Sequence, residues 1–407
     1  MVKQEYIDKL VSIQGFSVGG LRFVESAGAQ SLEIVLNRDK KKYSCGCGRV
    51  SRICHDRSLR RVRDLPFGPY FVTRLVFEQY RISCKKCGIV TETLDFVSPR
   101  VSYTKRLAAS VALSCQEIRS IKAVAQQYHL HWETVKNIDK QALEERLPEE
   151  GDTDATLLAV DEFSIKKRHH YATTVANVQT SEVLFVGEGR DSETLAKFYL
   201  KMSTEQRERI QAVAMDMWPA FASATKAFCP NAEIVYDPFH IIQAFHRDVI
   251  DNVRVAEYKK AKKKEKDVIK GSRFILFKNQ ENLNDEKGEP FKLQRLLQLN
   301  KRLNTVYILR DDLKNLWQYK SQWAANNCFE QWYKRAIYSK IEPLKKFAKT
   351  LKNHLPGILA HCTYPIHTGF SEGINNKIKV IKRIAFGFRD YDYFFLKIRG
   401  AFHYYHT

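Results

Sequence analysis

The sequence lacks what would place it in or across a membrane. No stretch approaches the roughly 18 consecutive apolar residues of a spanning helix. The segment Met1-Val2-Lys3-Gln4-Glu5 has no apolar core of the kind a secretory signal needs, so none is expected. A secreted disulfide frame is also missing, since the nine cysteines are odd in number and gathered early in a long chain. Reduced thiols with a metal site fit that usage better. Acids are in short supply, with 46 Asp and Glu against 67 Lys and Arg, a formal net charge of +21. Such an excess implies a polyanionic partner, for which nucleic acid is the usual candidate. At 44% hydrophobic and 28% charged residues the chain is globular, and its 407 residues suffice for two or three domains.

The first hundred residues are strand-rich, with Leu32-Glu33-Ile34-Val35-Leu36 as the clearest strand. Two cysteine knuckles follow, Cys45-Gly46-Cys47-Gly48 and Cys84-Lys85-Lys86-Cys87-Gly88. Paired knuckles, each followed by glycine, are the sequence form of a four-thiolate zinc site. The glycine permits the tight turn that aims backbone N–H groups at the sulfurs. The first knuckle has a one-residue spacer instead of two, and Cys54 or His55 could replace one ligand. Between the knuckles, Arg60, Arg61 and Arg63 make a basic strand suited to phosphate contact; the plainer alternative is a solvated basic face.

From Thr104 the period becomes helical. Residues 105–117 form one amphipathic stretch, 120–128 a short helix, His129-Leu130-His131 a turn, and Trp132 opens a further helix. Ala125 falls where two helices must pack closely, and Val135 where it seals the pair. This is a helix-turn-helix pattern, although the turn has no glycine. Trp132, Thr134, Lys136 and Asn137 would then face base edges or phosphates. Pro148-Glu149-Glu150-Gly151-Asp152 marks a boundary.

Beyond it, the apolar run Leu157–Ile165 carries Asp161 and Glu162 in its middle. An acid within a buried strand is costly unless paired or metal-bound. Further strands are expected near His170–Val178, Glu182–Gly187, Ala212–Trp218 and Glu233–Asp237, with helices near Ser192–Met202 and Pro219–Phe228. Asp216 and Asp237 stand where the last two strands end. Three strands followed by β-α-β is the order of a ribonuclease-H-like α/β core, in which the first and fourth strands are neighbours. That arrangement would set Asp161 beside Asp216, a pair that needs a cation between its carboxylates. His240 could contact DNA, the metal shell or the local core, and a packed position is the expectation.

Residues 251–355 read as helical throughout. Leu296, Leu297, Leu303, Tyr307, Leu313, Leu316, Trp317, Trp323, Phe329 and Trp332 recur at helical spacing, a core stripe. The run Tyr258–Lys266 is most often a solvated helix face, and here it could also touch DNA. The last motif begins at His367 and continues from Gly369 to Arg389. There Glu372 opens a helix whose charged face includes Lys377, Lys379, Lys382 and Arg383.

The stretch Gly369–Arg389 resembles the carboxy-terminal signature of bacterial insertion-sequence transposases of the ISL-three family. Val160-Asp161-Glu162, Met215-Asp216-Met217-Trp218, Asp237-Pro238-Phe239-His240 and Arg273–Asn279 are similar to its other blocks. The knuckles and Arg63-Asp64-Leu65-Pro66 resemble its zinc module, so the likeness runs nearly the length of the chain. The one-residue spacer at Cys45-Gly46-Cys47 is a departure. The resemblance implies a DDE transposase with Asp161, Asp216 and Glu372 as catalytic acids holding two Mg²⁺ (or Mn²⁺) ions, and a structural Zn²⁺ on Cys45, Cys47, Cys84 and Cys87. Its partner would be double-stranded DNA, both element ends and target, bound as a homodimer or higher assembly, with no membrane. The expected place is the bacterial cytoplasm, at the nucleoid. The expected fold is multidomain α/β: a zinc-binding module (1–100), a helix-turn-helix region (101–150), a ribonuclease-H-like core (151–250 and 356–407) and a helical insertion (251–355). Two alternatives differ in class: a non-catalytic zinc and helix-turn-helix DNA-binding regulator, and a ribonuclease-H-like nuclease without strand transfer.

Overall fold

The computed structural model describes residues 4–26, 29–117, 120–166, 170–366 and 369–403. Met1–Lys3 and the His367-Thr368 pair that opens the last motif lie outside them. The chain divides into two compact units. One is Met1–Leu147 with Val380–Ala401; the other is Pro148–Lys379 with the chain end from Phe402.

The first unit opens with α1 (Gln4–Val11), then β1 (Phe16–Ser26), β2 (Ala29–Arg38), β3 (Tyr43–Ser44), β4 (Val50–Ser51), β5 (Cys54–Asp64), β6 (Val72–Cys84) and β7 (Gly88–Thr91). The main sheet runs β1-β2-β6-β5, with β7 also on β6, and only β2–β6 is parallel. Leu32, Ile34 and Leu36 point to one face of β2 and meet Val62, Leu75, Phe77 and Val11 in a single apolar cluster. That alternation is the period-2 pattern of a one-sided sheet. Buried Glu92 pairs with Arg38 at 2.6 Å, and the guanidinium lies over Phe16, Tyr43 and Tyr80.

Next come α2 (Lys105–Gln116), α3 (Ile121–Tyr128) and α4 (Trp132–Arg146), capped by Thr104, Ser120 and His131. Ala125 and Val135 are both buried, as the helix-turn-helix spacing requires. The absent glycine is explained by His129, which itself takes the left-handed conformation at φ 49° and donates its N–H to the end of α3. Arg63 donates to the carbonyls of Tyr128 and His129 at 3.0 and 3.1 Å. Its neighbour Asp64, buried, accepts from Thr104 and Arg106. These two residues therefore tie the helices to β5.

Buried Asp139 of α4 accepts from Tyr393 at 2.5 Å and pairs with Lys397 at 3.0 Å, both on α18 (Tyr391–Phe402). Removing one partner of a buried pair strands the other. Asp139→Ala is therefore expected to lower the stability of this unit by about 3 kcal/mol. Urea unfolding followed by tyrosine and tryptophan fluorescence would measure it, and a loss below about 1 kcal/mol would show the pair to be dispensable.

The second unit holds β8 (Leu157–Lys166), β9 (His170–Asn177), β10 (Val183–Glu188), α5 (Ser192–Lys201), α6 (Thr204–Glu208), β11 (Ala212–Met215), α7 (Pro219–Phe228), β12 (Glu233–Tyr236) and α8 (Pro238–Phe245). Strand order is β10-β9-β8-β11-β12, antiparallel up to β8 and parallel after it. The first and fourth strands are thus neighbours, as element order implies. β11 is buried along its whole length, which accounts for its purely apolar Ala-Val-Ala-Met.

A π-helical turn (His246–Asp251) leads into α9 (Asn252–Lys260), α10 (Lys263–Ile269), α11 (Arg273–Phe277), α12 (Glu289–Leu299), α13 (Lys301–Lys314), α14 (Gln322–Tyr338), α15 (Glu342–Asn353) and α16 (Leu355–Leu359). No strand interrupts this region among the described residues. Leu303, Leu313, Phe329 and Trp332 are buried in its core, and the Trp332 indole N–H donates to the Leu309 carbonyl at 2.7 Å. Trp323 departs from the expected stripe: it lies in the first turn of α14 and is 76% exposed. α17 (Gly369–Ile384) follows, and the division between units falls within it. No helix of the described residues is long and apolar enough to cross a membrane.

Candidate active site

The carboxyl ends of the parallel strands open onto a cleft of about 1160 Å³. Asp161 and Glu162 reach it from β8, Asp216 from the end of β11, Asp237 from the end of β12, and Glu372 from the first turn of α17. Crevices at the carboxyl ends of parallel strands are where open α/β sheets bind ligands. Each strand-end acid is fixed by backbone. Asp161 accepts from the Glu162 N–H at 2.7 Å, Asp216 from Trp218 at 3.1 Å, and Asp237 from Phe239 at 2.7 Å. The last of these caps α8, whose Pro238 needs no N–H partner.

His240 is not a core residue. Its side chain is 29% exposed, and Nε2 stands 3.8 Å from Asp161 and 3.7 Å from Asp237. Asn375, one turn beyond Glu372 on α17, donates to the second oxygen of Asp161 at 2.7 Å. Period 3.6 makes Asn375 readable from Glu372 in retrospect. Arg190, in the loop after β10, pairs with Glu162 at 3.4 Å, and nothing in its sequence surroundings singles it out.

Burial pushes the Asp161, Asp216 and Asp237 carboxyls above their ordinary range; His240 opposes this for all three. Asp161 adds to the rise at Asp216, and Asp216 to that at Asp237. Glu162 is likewise raised by burial, against the pull of Arg190. A half-buried set of mutually repelling hard oxygens is what a divalent cation relieves. Glu372 is exposed at the rim. It joins Asp161 and Asp216 in lining the same cleft.

A second cluster lies in the first unit. The sulfurs of Cys45, Cys47, Cys84 and Cys87 all fall within 4.8 Å of one another. The one-residue spacer is accommodated by a tight turn in which Gly48 donates to the Cys45 carbonyl and Cys45 to Arg49. Gly48 and Gly88 take φ of +83° and +74°, so both knuckles use the freedom of glycine. Backbone N–H groups of Lys86 and Cys87 pull the Cys84 thiol down to about 6, while the neighbouring sulfurs of Cys47 and Cys45 push Cys87 up to about 12. Cys54 and His55 stay outside the cluster and engage Asp56.

The residues expected at DNA fall into two groups. Trp132 and Asn137 are exposed on α4, Thr134 is half-buried beside them, and Arg383 is exposed on α17. Lys379 lines the acid cleft and donates to Asn376 at 3.3 Å. The others are engaged within the protein. Arg60 donates to carbonyls of Ser98 and Val101, Arg61 pairs with Glu33 at 3.4 Å, and Lys136 pairs with Asp390 at 2.7 Å. Lys377 lies over Phe402, and burial holds Lys377 and Lys382 below the usual lysine range.

A helix-turn-helix and an acid-lined cleft at strand ends are the parts of a protein that grips DNA and works on its backbone. A transposase family matches residues 158–398, and the helix-turn-helix domain of transposase family ISL3 matches residues 92–143. The chain is 40% identical over 406 residues to the transposase for insertion sequence element IS1001 of Bordetella parapertussis, covering 99% of each. It is 26% identical over 396 residues to the transposase for IS1557 of two Mycobacterium tuberculosis strains, covering 89% of this chain and 86% of theirs. The chain belongs to the ISL3 family of insertion-sequence transposases, DDE enzymes whose general reaction is DNA cleavage and strand transfer.

Proposed function

We propose that Asp161, Asp216 and Glu372 are the catalytic acids of a ribonuclease-H-like core that cuts the terminal inverted repeats of an insertion sequence and joins them to target DNA. The observation that carries this reading is that β8, β11 and α17, remote in sequence, deliver their acids to one cleft. The three would hold two Mg²⁺ (or Mn²⁺) ions. Such ions, when bound, supply charge stabilisation and an activated oxygen nucleophile at the phosphodiester. Asn375 orients Asp161, and His240 balances Asp161 and Asp237. Glu162 and Asp237 are supporting acids.

The roles divide along the chain. Residues 1–100 form the zinc-binding module, with one structural Zn²⁺ on Cys45, Cys47, Cys84 and Cys87. Residues 101–150 read the element end. Residues 151–250 and 356–379 form the catalytic core, 380–401 belong with the first unit, and 251–355 form the helical insertion. The working form on DNA is a homodimer or larger assembly, in the bacterial cytoplasm at the nucleoid.

Reading of the element end is assigned to the exposed start of α4, where Trp132, Thr134 and Asn137 are placed to reach bases. Lys136 holds α4 through Asp390, and Arg60 and Arg63 hold the module together, so their effect on DNA is through position. Asn137→Ala in the full chain is expected to lose about tenfold of its preference for the terminal repeat over scrambled duplex. The full chain is needed because α4 is tied to α18. Gel-shift titration at two salt concentrations separates base reading from the salt-dependent phosphate contribution. An unchanged preference would move base reading elsewhere.

A further inference from the structure

Arg190 sits on the wall of the cleft that carries Glu162 and Asp216. Its guanidinium lies between two rings, 4.3 Å from the centre of Tyr171 and 4.9 Å from that of Trp218. The Trp218 indole N–H donates to the Arg190 carbonyl at 2.9 Å, and the Trp218 backbone N–H donates to Asp216. The loop itself is fixed. Gly189 has φ +110°, and a Cβ there would come 2.5 Å from the Thr194 hydroxyl oxygen, which donates to the Glu188 carbonyl. Asp191 caps α5 through the Thr194 N–H.

So rigid a mounting is more than a counter-ion for Glu162 requires. The contact with Glu162 is long, 3.4 Å, made by one nitrogen, and the side chain is 38% exposed towards the cleft. Among the described residues no other side-chain acceptor is paired with this five-donor fork. A DNA phosphate brought to Asp161, Glu162, Asp216 and Asp237 meets a wall of like charge. A planar guanidinium held on the same wall is the group that matches two phosphate oxygens at once.

We propose that Arg190 is a phosphate clamp. Its guanidinium takes the non-bridging oxygens of the phosphodiester at the cleavage position, exchanging the long contact with Glu162 for a short charge-assisted pair, while Tyr171 and Trp218 keep its plane fixed. The proposal rests on the reading of Asp161, Asp216 and Glu372 as the reaction's acids.

The test uses the full-length protein, calcium in place of magnesium, and element-end duplexes each carrying one uncharged methylphosphonate linkage. The parent should lose about tenfold in affinity when the neutral linkage is at the cleavage position. R190Q should bind the unmodified end about tenfold more weakly, lose markedly less than the parent at that linkage, and respond like the parent at remote linkages. R190K keeps the charge and the fold but not the planar fork, and should also lose the position-specific response. The proposal is overturned if R190Q remains as sensitive as the parent at that linkage, or if R190K does so where R190Q fails to fold. D216N separates the two readings. Cleavage by D216N in magnesium would sink the assignment of the acids, whereas the Arg190 interference pattern is measured without cleavage.

Discussion

Asp216→Asn should reduce cleavage of element ends by at least about 10³-fold while leaving their binding within about threefold. The substitution is nearly isosteric and keeps one oxygen to accept the Trp218 N–H, so the turn after β11 should persist. What it removes is one hard anionic ligand from a cleft where burial and Asp161 already hold the Asp216 carboxyl above its ordinary range. The sign of the stability change follows from that shift. A carboxyl whose pKa is raised by folding costs stability at neutral pH, a cost that disappears as pH falls through the raised value. The amide carries no such cost. In chelator at neutral pH the variant should therefore melt at or above the parent temperature, and the gap should close as the pH is lowered. Lost cleavage with a lowered melting temperature and lost binding would mean misfolding. Retained cleavage and strand transfer would sink the assignment of Asp216.

Much of this core was legible because its chemistry conflicts with its burial. Asp161 in an apolar strand, and Asp216 and Asp237 at apolar strand ends, violate the pattern that makes a strand, and such violations mark sites. The neighbouring of β8 and β11 followed from element order and the handedness of crossovers. Residues acting through partners remote in sequence were not legible. Asn375 is an ordinary helix amide until Asp161 is placed against it. Arg190 is one of many cations in a chain of net charge +21, and only the Tyr171 and Trp218 rings set it apart. Composition argues for surface contact in every such cation, yet Arg63, Arg60 and Lys136 each have protein partners. His240 shows the converse. An apolar neighbourhood, Phe239-His240-Ile241-Ile242, reads as core, but the helical period buries Ile241 and turns Phe239 and His240 towards the cleft.

The four-cysteine module should respond as strongly as the acid cleft, and through folding. β3 and β4 are two residues each, far too short to stand alone, and the side chains packed there are Tyr43, Cys45, Ile82 and Cys84. Ser44 bridges to Thr93 and the Ser51 hydroxyl donates to the Ser83 carbonyl, and the four-sulfur cluster adds a further tie. A structural zinc site supplies roughly 10 kcal/mol of binding free energy that is also folding free energy. Purified without chelator, the protein should carry about one zinc per chain by elemental analysis. Cys84→Ser should abolish that stoichiometry, open residues 43–91 to proteolysis and remove specific end binding, because β5 and β6 also support the helix-turn-helix through Arg63 and Asp64. Ligation requires thiolates, so metal affinity should fall as the pH drops. Once the metal is stripped, all four thiols should become open to alkylation, and bound zinc should protect them. Mass spectrometry of the alkylated peptides with and without zinc measures that protection. Equal labelling in the two states, or zinc near zero in protein that still binds the element end, would show that the four thiols fold the module without a metal.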